Sequence, residues 1–210
     1  LGVTAIGIPE CSGGLGGGAI ERLPAMQAFG RALLLEPFLA SSVLGATAVR
    51  ESAGDALKDA LLPALASGEL RLAWAHDEAQ AAPGPLQVAT RGRPVDGHWR
   101  LHGAKSLVLH AGAARRFVVS ARVDGEPGNE DSIALFLVAA GNPGVTLRKF
   151  RLIDDTPAGE LLFDGAVAEA LGDPTDRAHA RAAIHATLAA GTAAAWADMV
   201  GTMGTAFAVT

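Results

Sequence analysis

The sequence predicts an α+β chain of more than one domain: an N-terminal α-helical segment, a middle antiparallel β-barrel or sandwich, and the start of a C-terminal helical bundle. Three observations predict it. Before Gly68 apolar residues recur at helical spacing. From Glu69 to Leu171 short apolar or alternating runs are separated by turn signals. From Thr175 an Ala-rich stretch returns to helical spacing. The expected domains are residues 1–68, 69–171 and 172–210.

The chain opens on Leu rather than Met, with an apolar stretch over 3–8 closed by Pro9 and a glycine-dense loop over 13–18. A first helix is expected from Ala19, with Ile20, Leu23, Met26, Ala28 and Phe29 as its apolar stripe and Glu21 at the end where the helix dipole favours an acid. Gly30 and the Glu36-Pro37 pair break it. A second helix is expected over 37–52, with Leu39, Val43, Leu44 and Val49 inward. A third is expected over 55–66, with Leu57, Leu61, Leu62 and Leu65 facing the core and Gly68 ending it. Strands are expected over 71–76, 87–92, 98–109, 116–122, 132–139, 145–150 and 159–163, with turns that include Asp96-Gly97 and Asp164-Gly165. Asp96-Gly97 is the strongest hairpin signal, because both central residues of such a turn need positive φ. The last helix, over 175–210, carries Ile184, Leu188, Trp196, Met199, Met203 and Phe207 along one side. So long a helix with so few large side chains needs other helices around it, and these are expected to lie outside this chain.

Composition narrows the function. Half of the 210 residues are hydrophobic and 19% are charged, which suits a packed protein and not a disordered one. A net charge of −5 argues against a nucleic-acid partner, which needs a cationic surface. The one cysteine, Cys11, allows no internal disulfide and no thiolate metal cluster, and a reducing cytoplasmic setting is expected. No stretch reaches the roughly 20 apolar residues of a membrane span, and no signal-peptide pattern is present.

Few motifs carry chemistry directly. The glycine loop over 13–18 matches neither a dinucleotide fingerprint nor a phosphate-binding loop, since no Lys follows it, and is expected to be a plain loop into a helix. In His76-Asp77-Glu78 neighbouring side chains of an extended strand point to opposite faces, which argues against a metal site. His98, His102 and His110 are scattered, and no Gly-x-Ser-x-Gly elbow is present. Trp99 and Trp196 are expected in the core. Trp74, at the end of the first strand, either packs there or walls a ligand.

Taken together, the pieces resemble the acyl-CoA dehydrogenase family. Pro9-Glu10-Cys11-Ser12-Gly13-Gly14-Leu15-Gly16 is similar to the family's loop Pro-Glu-x-x-Gly-Gly-Leu-Gly. Asp96-Gly97-His98-Trp99-Arg100-Leu101-His102-Gly103-Ala104-Lys105 resembles its hairpin Asp-Gly-x-Trp-x-Leu-x-Gly-x-Lys, and Phe163-Asp164-Gly165 resembles the end of its middle domain. The order of these pieces matches along nearly the whole chain, closest to the bacterial small-subunit or pimeloyl-CoA dehydrogenase-like branch.

The resemblance implies an FAD-dependent oxidoreductase of fatty-acid metabolism that converts an acyl-CoA to its enoyl-CoA. It implies an electron-transferring flavoprotein as electron acceptor and a homo- or hetero-oligomer, dimer or tetramer. The family's glutamate base belongs to a C-terminal helical domain, so no residue here is assigned as catalytic and the fragment alone is expected to be inactive. The resemblance places Trp74, His76, Asp77, Leu107 and Leu109 at the flavin and Ala82 and Pro83 at the acyl-CoA. Asp77 stands where the family has a hydroxyl residue, and Leu107 and Leu109 stand where it has an aromatic and a hydroxyl. The alternative these departures imply is a non-catalytic dehydrogenase-like subunit that pairs with an active one.

Overall fold

The computed structural model describes residues 2–79, 84–125 and 132–208. At the N-terminus two short turns, Val3–Ala5 and Glu10–Ser12, fold the apolar start against the glycine loop. The loop's amides are consumed locally: Leu15 N donates to Ala5 O, Gly16 N to Ile8 O and Gly14 N to Pro9 O. They are not free to cradle an anion.

Helix α1 (Ala19–Ala32) begins where the Gly18 amide donates to the Glu21 carboxylate, at 2.6 Å. Its buried residues are Arg22, Met26 and Gly30, while Ile20 is 76% exposed and Ala28 lies outside, so the expected stripe is rotated. Packing decides this. Arg22 reaches inward to Ile6 O and the Thr47 hydroxyl, and Gly30 lets the helix lie directly on the Asp198 carbonyl of the last helix. The expected second helix is a π-helical stretch, Phe38–Gly45, that runs into α2 (Ala46–Ser52). Helix α3 (Asp55–Ala66) buries Leu61, Leu62 and Leu65, with Leu57 half-buried.

Seven strands follow: β1 (Leu72–Ala75), β2 (Arg91–Val95), β3 (His98–Leu109), β4 (Arg116–Arg122), β5 (Ile133–Ala139), β6 (Val145–Arg151) and β7 (Pro157–Ala170). β4 pairs with β5, β5 touches β7, β7 pairs with β3, β3 with β2, and β2 returns to β4, which closes a barrel. β1 joins β4 in parallel and β6 joins β7. The Asp96-Gly97 turn has φ of 51° and 78°, as its hairpin requires.

Two strands differ from expectation. β2 starts at Arg91, because the Ala89 and Thr90 amides, instead of joining a ladder, donate to the Glu78 carboxylate. β7 does not turn at Asp164-Gly165 but runs through it. Gly165, at φ 66°, forms a bulge that shifts the pairing from His102↔Asp164 to Leu101↔Ala166.

Phe117, Phe136, Leu161, Phe163 and Leu101 fill the barrel. The outer faces of β1, β4 and β5 pack through Leu72, Trp74, Val118, Leu135 and Leu137 against Val49, Leu62, Leu65 and Ile184 of the helices. Large side chains of this kind each stabilise the fold by about 1.5–3 kcal/mol when fully buried. Trp99 is half-buried against Phe136.

Helix α4 (Arg177–Ala208) lies along α1 and α2 and buries mainly small residues, Ala180, Ala183, Thr187, Ala194, Ala197 and Gly201, together with Ile184. Trp196, expected in the core, is 65% exposed, and Met199, Val200, Met203 and Phe207 are exposed beside it. The small side was chosen for contact because only there can α1 approach closely; Gly201 sits against the Gln27 carbonyl.

Candidate functional site

The end of β1 organises the chemistry of the chain. Side chains alternate along it, so Trp74 and His76 are buried, Asp77 is exposed and Glu78 turns inward again. Trp74 packs between sheet and helices with its ring stacked on His76 at 5.3 Å, and its indole N–H has no acceptor among the described residues.

His76 is held at both ring nitrogens. Nε2 lies 2.7 Å from the Pro85 carbonyl, which can only accept, so Nε2 carries the hydrogen. Nδ1 therefore accepts from the Ser120 hydroxyl at 2.8 Å. Burial, with the Lys105 charge behind it, pushes the imidazole down to about 4 and keeps it neutral.

Lys105 lies beneath. Its ammonium is inaccessible and donates to His76 O at 2.9 Å, Glu78 Oε1 at 2.7 Å and Ser120 Oγ at 3.0 Å, which uses all three of its hydrogens. Burial lowers this lysine to about 8, against the pull of the Glu78 carboxylate. Burial works to raise Glu78, but Lys105 and the Thr90 hydrogen bonds outweigh it and hold the carboxyl below its usual range. The other Glu78 oxygen accepts from Ala89 N at 2.7 Å.

Above this network lies a groove of about 600 Å³, lined by Glu78, Ala79, Ala89 and Thr90 on one side. The outer surfaces of β3, β6 and β7 form the other side, through Ala104, Ser106, Thr146, Arg148 and Leu162. That volume lies within the usual range for a small-molecule site, roughly 300–1,000 Å³. Beside it β3 bulges, since its pairing with β7 skips from Lys105 to Val108. Ser106 turns its amide to the Asp77 carbonyl at 2.8 Å, and Leu107, at φ 52°, stands 48% exposed.

The structure thus brings Asp77 beside the bulge that carries Leu107, with Leu109 half-buried two residues further along the strand. The Trp74 and His76 side chains are buried, Trp74 in the cluster formed with the helices that pack on β1. Ala82 and Pro83 lie outside the described residues. Sequence reasoning passed over Ser120 and the roles of Glu78 and Lys105; the available signal was a lysine at the parity of Leu101 on a strand that must bury that face.

A closed barrel clasped by helices, with a groove where its first strand ends, defines a helix–barrel–helix class of α+β protein. Residues 1–69 match the family description "Acyl-CoA dehydrogenase, N-terminal domain", and residues 73–166 match "Acyl-CoA dehydrogenase, middle domain". The chain belongs to the acyl-CoA dehydrogenase family. It is 31% identical over 169 residues to acyl-CoA dehydrogenase FadE27 of Mycobacterium tuberculosis, covering 80% of this chain and 42% of that protein. Among solved structures it resembles the steroid ACAD Tcur3481-Tcur3483, with TM-score 0.81 and 29% identity over 99% of this chain and 53% of that one. It also resembles the ChsE4-ChsE5 complex from Mycobacterium tuberculosis, with TM-score 0.76 and 26% identity over 95% of this chain and 51% of that one. The chain therefore spans about half the length, or less, of the relatives it matches.

Proposed function

We propose that the protein containing this chain is an FAD-dependent acyl-CoA dehydrogenase, divided into a helical domain over 1–68, a β-domain over 69–171 and a further helical domain from 172. The observation that supports this most is the groove at the end of β1, bordered by the bulge that presents Leu107. The residues there fit a flavin. Leu107 and Leu109 offer an apolar surface to a planar ring, and the bulge leaves Leu107 outside the β7 ladder, where its main-chain groups can meet a ring edge. Bound there, FAD would accept the hydride from the acyl β-carbon while a base takes the α-proton.

This chain's own residues hold and orient. Asp77, Leu107 and Leu109 border the ring, Trp74 and His76 support that surface from beneath, and Ala82 and Pro83 are assigned to the acyl-CoA. We assign no base within residues 1–210. An electron-transferring flavoprotein is the proposed electron acceptor, in the cytoplasm.

A second reading is favoured by Asp77. An exposed carboxylate beside a flavin opposes the negative charge of the reduced ring. It suits a subunit whose flavin surface has lapsed and which completes an active partner, and one structural relative is itself described as a complex of two chains. The test is the full-length protein. Purified alone, it should be yellow and should reduce an artificial acceptor with an acyl-CoA. A colourless, folded protein that copurifies with a second dehydrogenase chain supports the second reading and defeats the first.

A further inference from the structure

We propose that His76, Glu78, Lys105 and Ser120 form a buried latch that positions the segment 84–90, one wall of the groove, and that His76 is thereby a positioning residue for whatever the groove binds. The segment leads into the barrel at β2 and forms no strand over 84–90; it meets the sheet only at its end, where Arg122 N of β4 donates to Thr90 O at 2.8 Å. What holds it is polar and comes from beneath. The His76 ring takes the Pro85 carbonyl, and the Glu78 carboxylate takes the Ala89 and Thr90 amides. Leu86 and Val88 add apolar anchors.

Each member is in turn fixed by another. Ser120, on β4, donates to His76 and accepts from Lys105; Lys105, on β3, joins the His76 carbonyl to the Glu78 carboxylate. Three strands are thus tied to one wall through groups that are almost wholly out of water. There hydrogen bonds to charged groups are at their strongest and loss of a partner is most costly. The latch is one-sided. Its side-chain hydrogen bonds reach Ala89 and Thr90, which line the groove, and none of them goes to β6 or β7 on the opposite side. Breaking it therefore loosens one wall and leaves the barrel closed.

The direct test is amide hydrogen exchange in this chain. Glu78→Gln should speed exchange at Ala89 and Thr90 about tenfold or more relative to Val118 and Phe136 in the barrel, whose rates report the change in global stability. His76→Leu should speed Gln87, whose amide closes the turn onto Gly84 O, and His76→Gln, whose amide can still donate to Pro85 O, should restore it. If His76→Leu does not fold, Ser120→Ala reads the same amides. Unchanged exchange over 87–90, or exchange that rises equally in the barrel, overturns the latch.

The link to ligand binding rests on the flavin reading and is tested in the full-length protein by FAD titration. His76→Leu should weaken FAD about tenfold or more, and His76→Gln should recover it. Altered exchange with unaltered FAD affinity overturns the positioning role. A wild-type protein that binds no FAD, in which the exchange pattern nonetheless appears, sinks the flavin reading and keeps the latch.

Discussion

At the scale of single residues, the polar atoms beneath the groove set the chain's sensitivity to pH and to charge. His76 has its ordinary value of 6.5 when unfolded and about 4 when folded. Between these two values the unfolded chain holds a proton that the folded chain refuses. Stability therefore falls as pH drops from 6.5 towards 4 and levels off below, by roughly 3 kcal/mol at most. Denaturant midpoints measured over that window should slope more steeply for the native chain than for His76→Leu. Equal slopes would mean that the ring is not buried neutral. Charge gives a second prediction. Glu78→Gln strands the inaccessible Lys105 ammonium without a counter-charge and should cost about 3 kcal/mol, whereas the pair Glu78→Leu with Lys105→Met should recover much of that loss. Urea titration of the native chain and the two variants checks the order.

At the scale of elements, glycines decide how α1 and α4 meet. Gly30 faces the Asp198 carbonyl and Gly201 faces the Gln27 carbonyl, and the Thr202 hydroxyl donates to Gly30 O at 3.1 Å. In an isolated helix Gly30→Ala would be favoured by about 1 kcal/mol. Here the new methyl has no room, so Gly30→Ala is expected to destabilise the chain by about 2 kcal/mol, read as a lowered melting temperature. A rise would show that the helices can separate freely. The same contact explains why the α1 stripe was legible only in part: Met26 is buried with Leu23 and Phe29 packed against its cluster, but Ile20 and Ala28 are exposed. Helical spacing showed that α1 is a helix, but the partner chose Arg22, Met26 and Gly30 as its inner face over Ile20 and Ala28. The Asp96-Gly97 hairpin, by contrast, was legible in full, because its turn geometry is local.

At the scale of the whole molecule, the apolar surface is unevenly covered. Trp196, Met199, Val200, Met203 and Phe207 form an exposed face along the distal half of α4. A contiguous face of this kind marks a contact surface or an aggregation liability. The isolated chain should therefore self-associate at micromolar concentration in light scattering, and Trp196→Glu with Met203→Glu should return it to a monomer at an unchanged melting temperature. A monomeric native chain would count against any contact role for that face. The described residues contain no helix long and apolar enough to cross a membrane.

The sequence by itself determined the kinds and order of the elements, the family, and the position of the strand that ends at the groove. Period and turn chemistry are local properties, written in runs such as residues 98–109 and in pairs such as Asp96-Gly97. Only the tertiary structure decided which face of α1 and α4 is buried, that Asp164-Gly165 is a bulge, and that His76, Glu78, Lys105 and Ser120 converge. These depend on what lies opposite. Residues 44 positions apart, such as His76 and Ser120, become partners only once β1 is laid parallel to β4, and no spacing rule spans that distance.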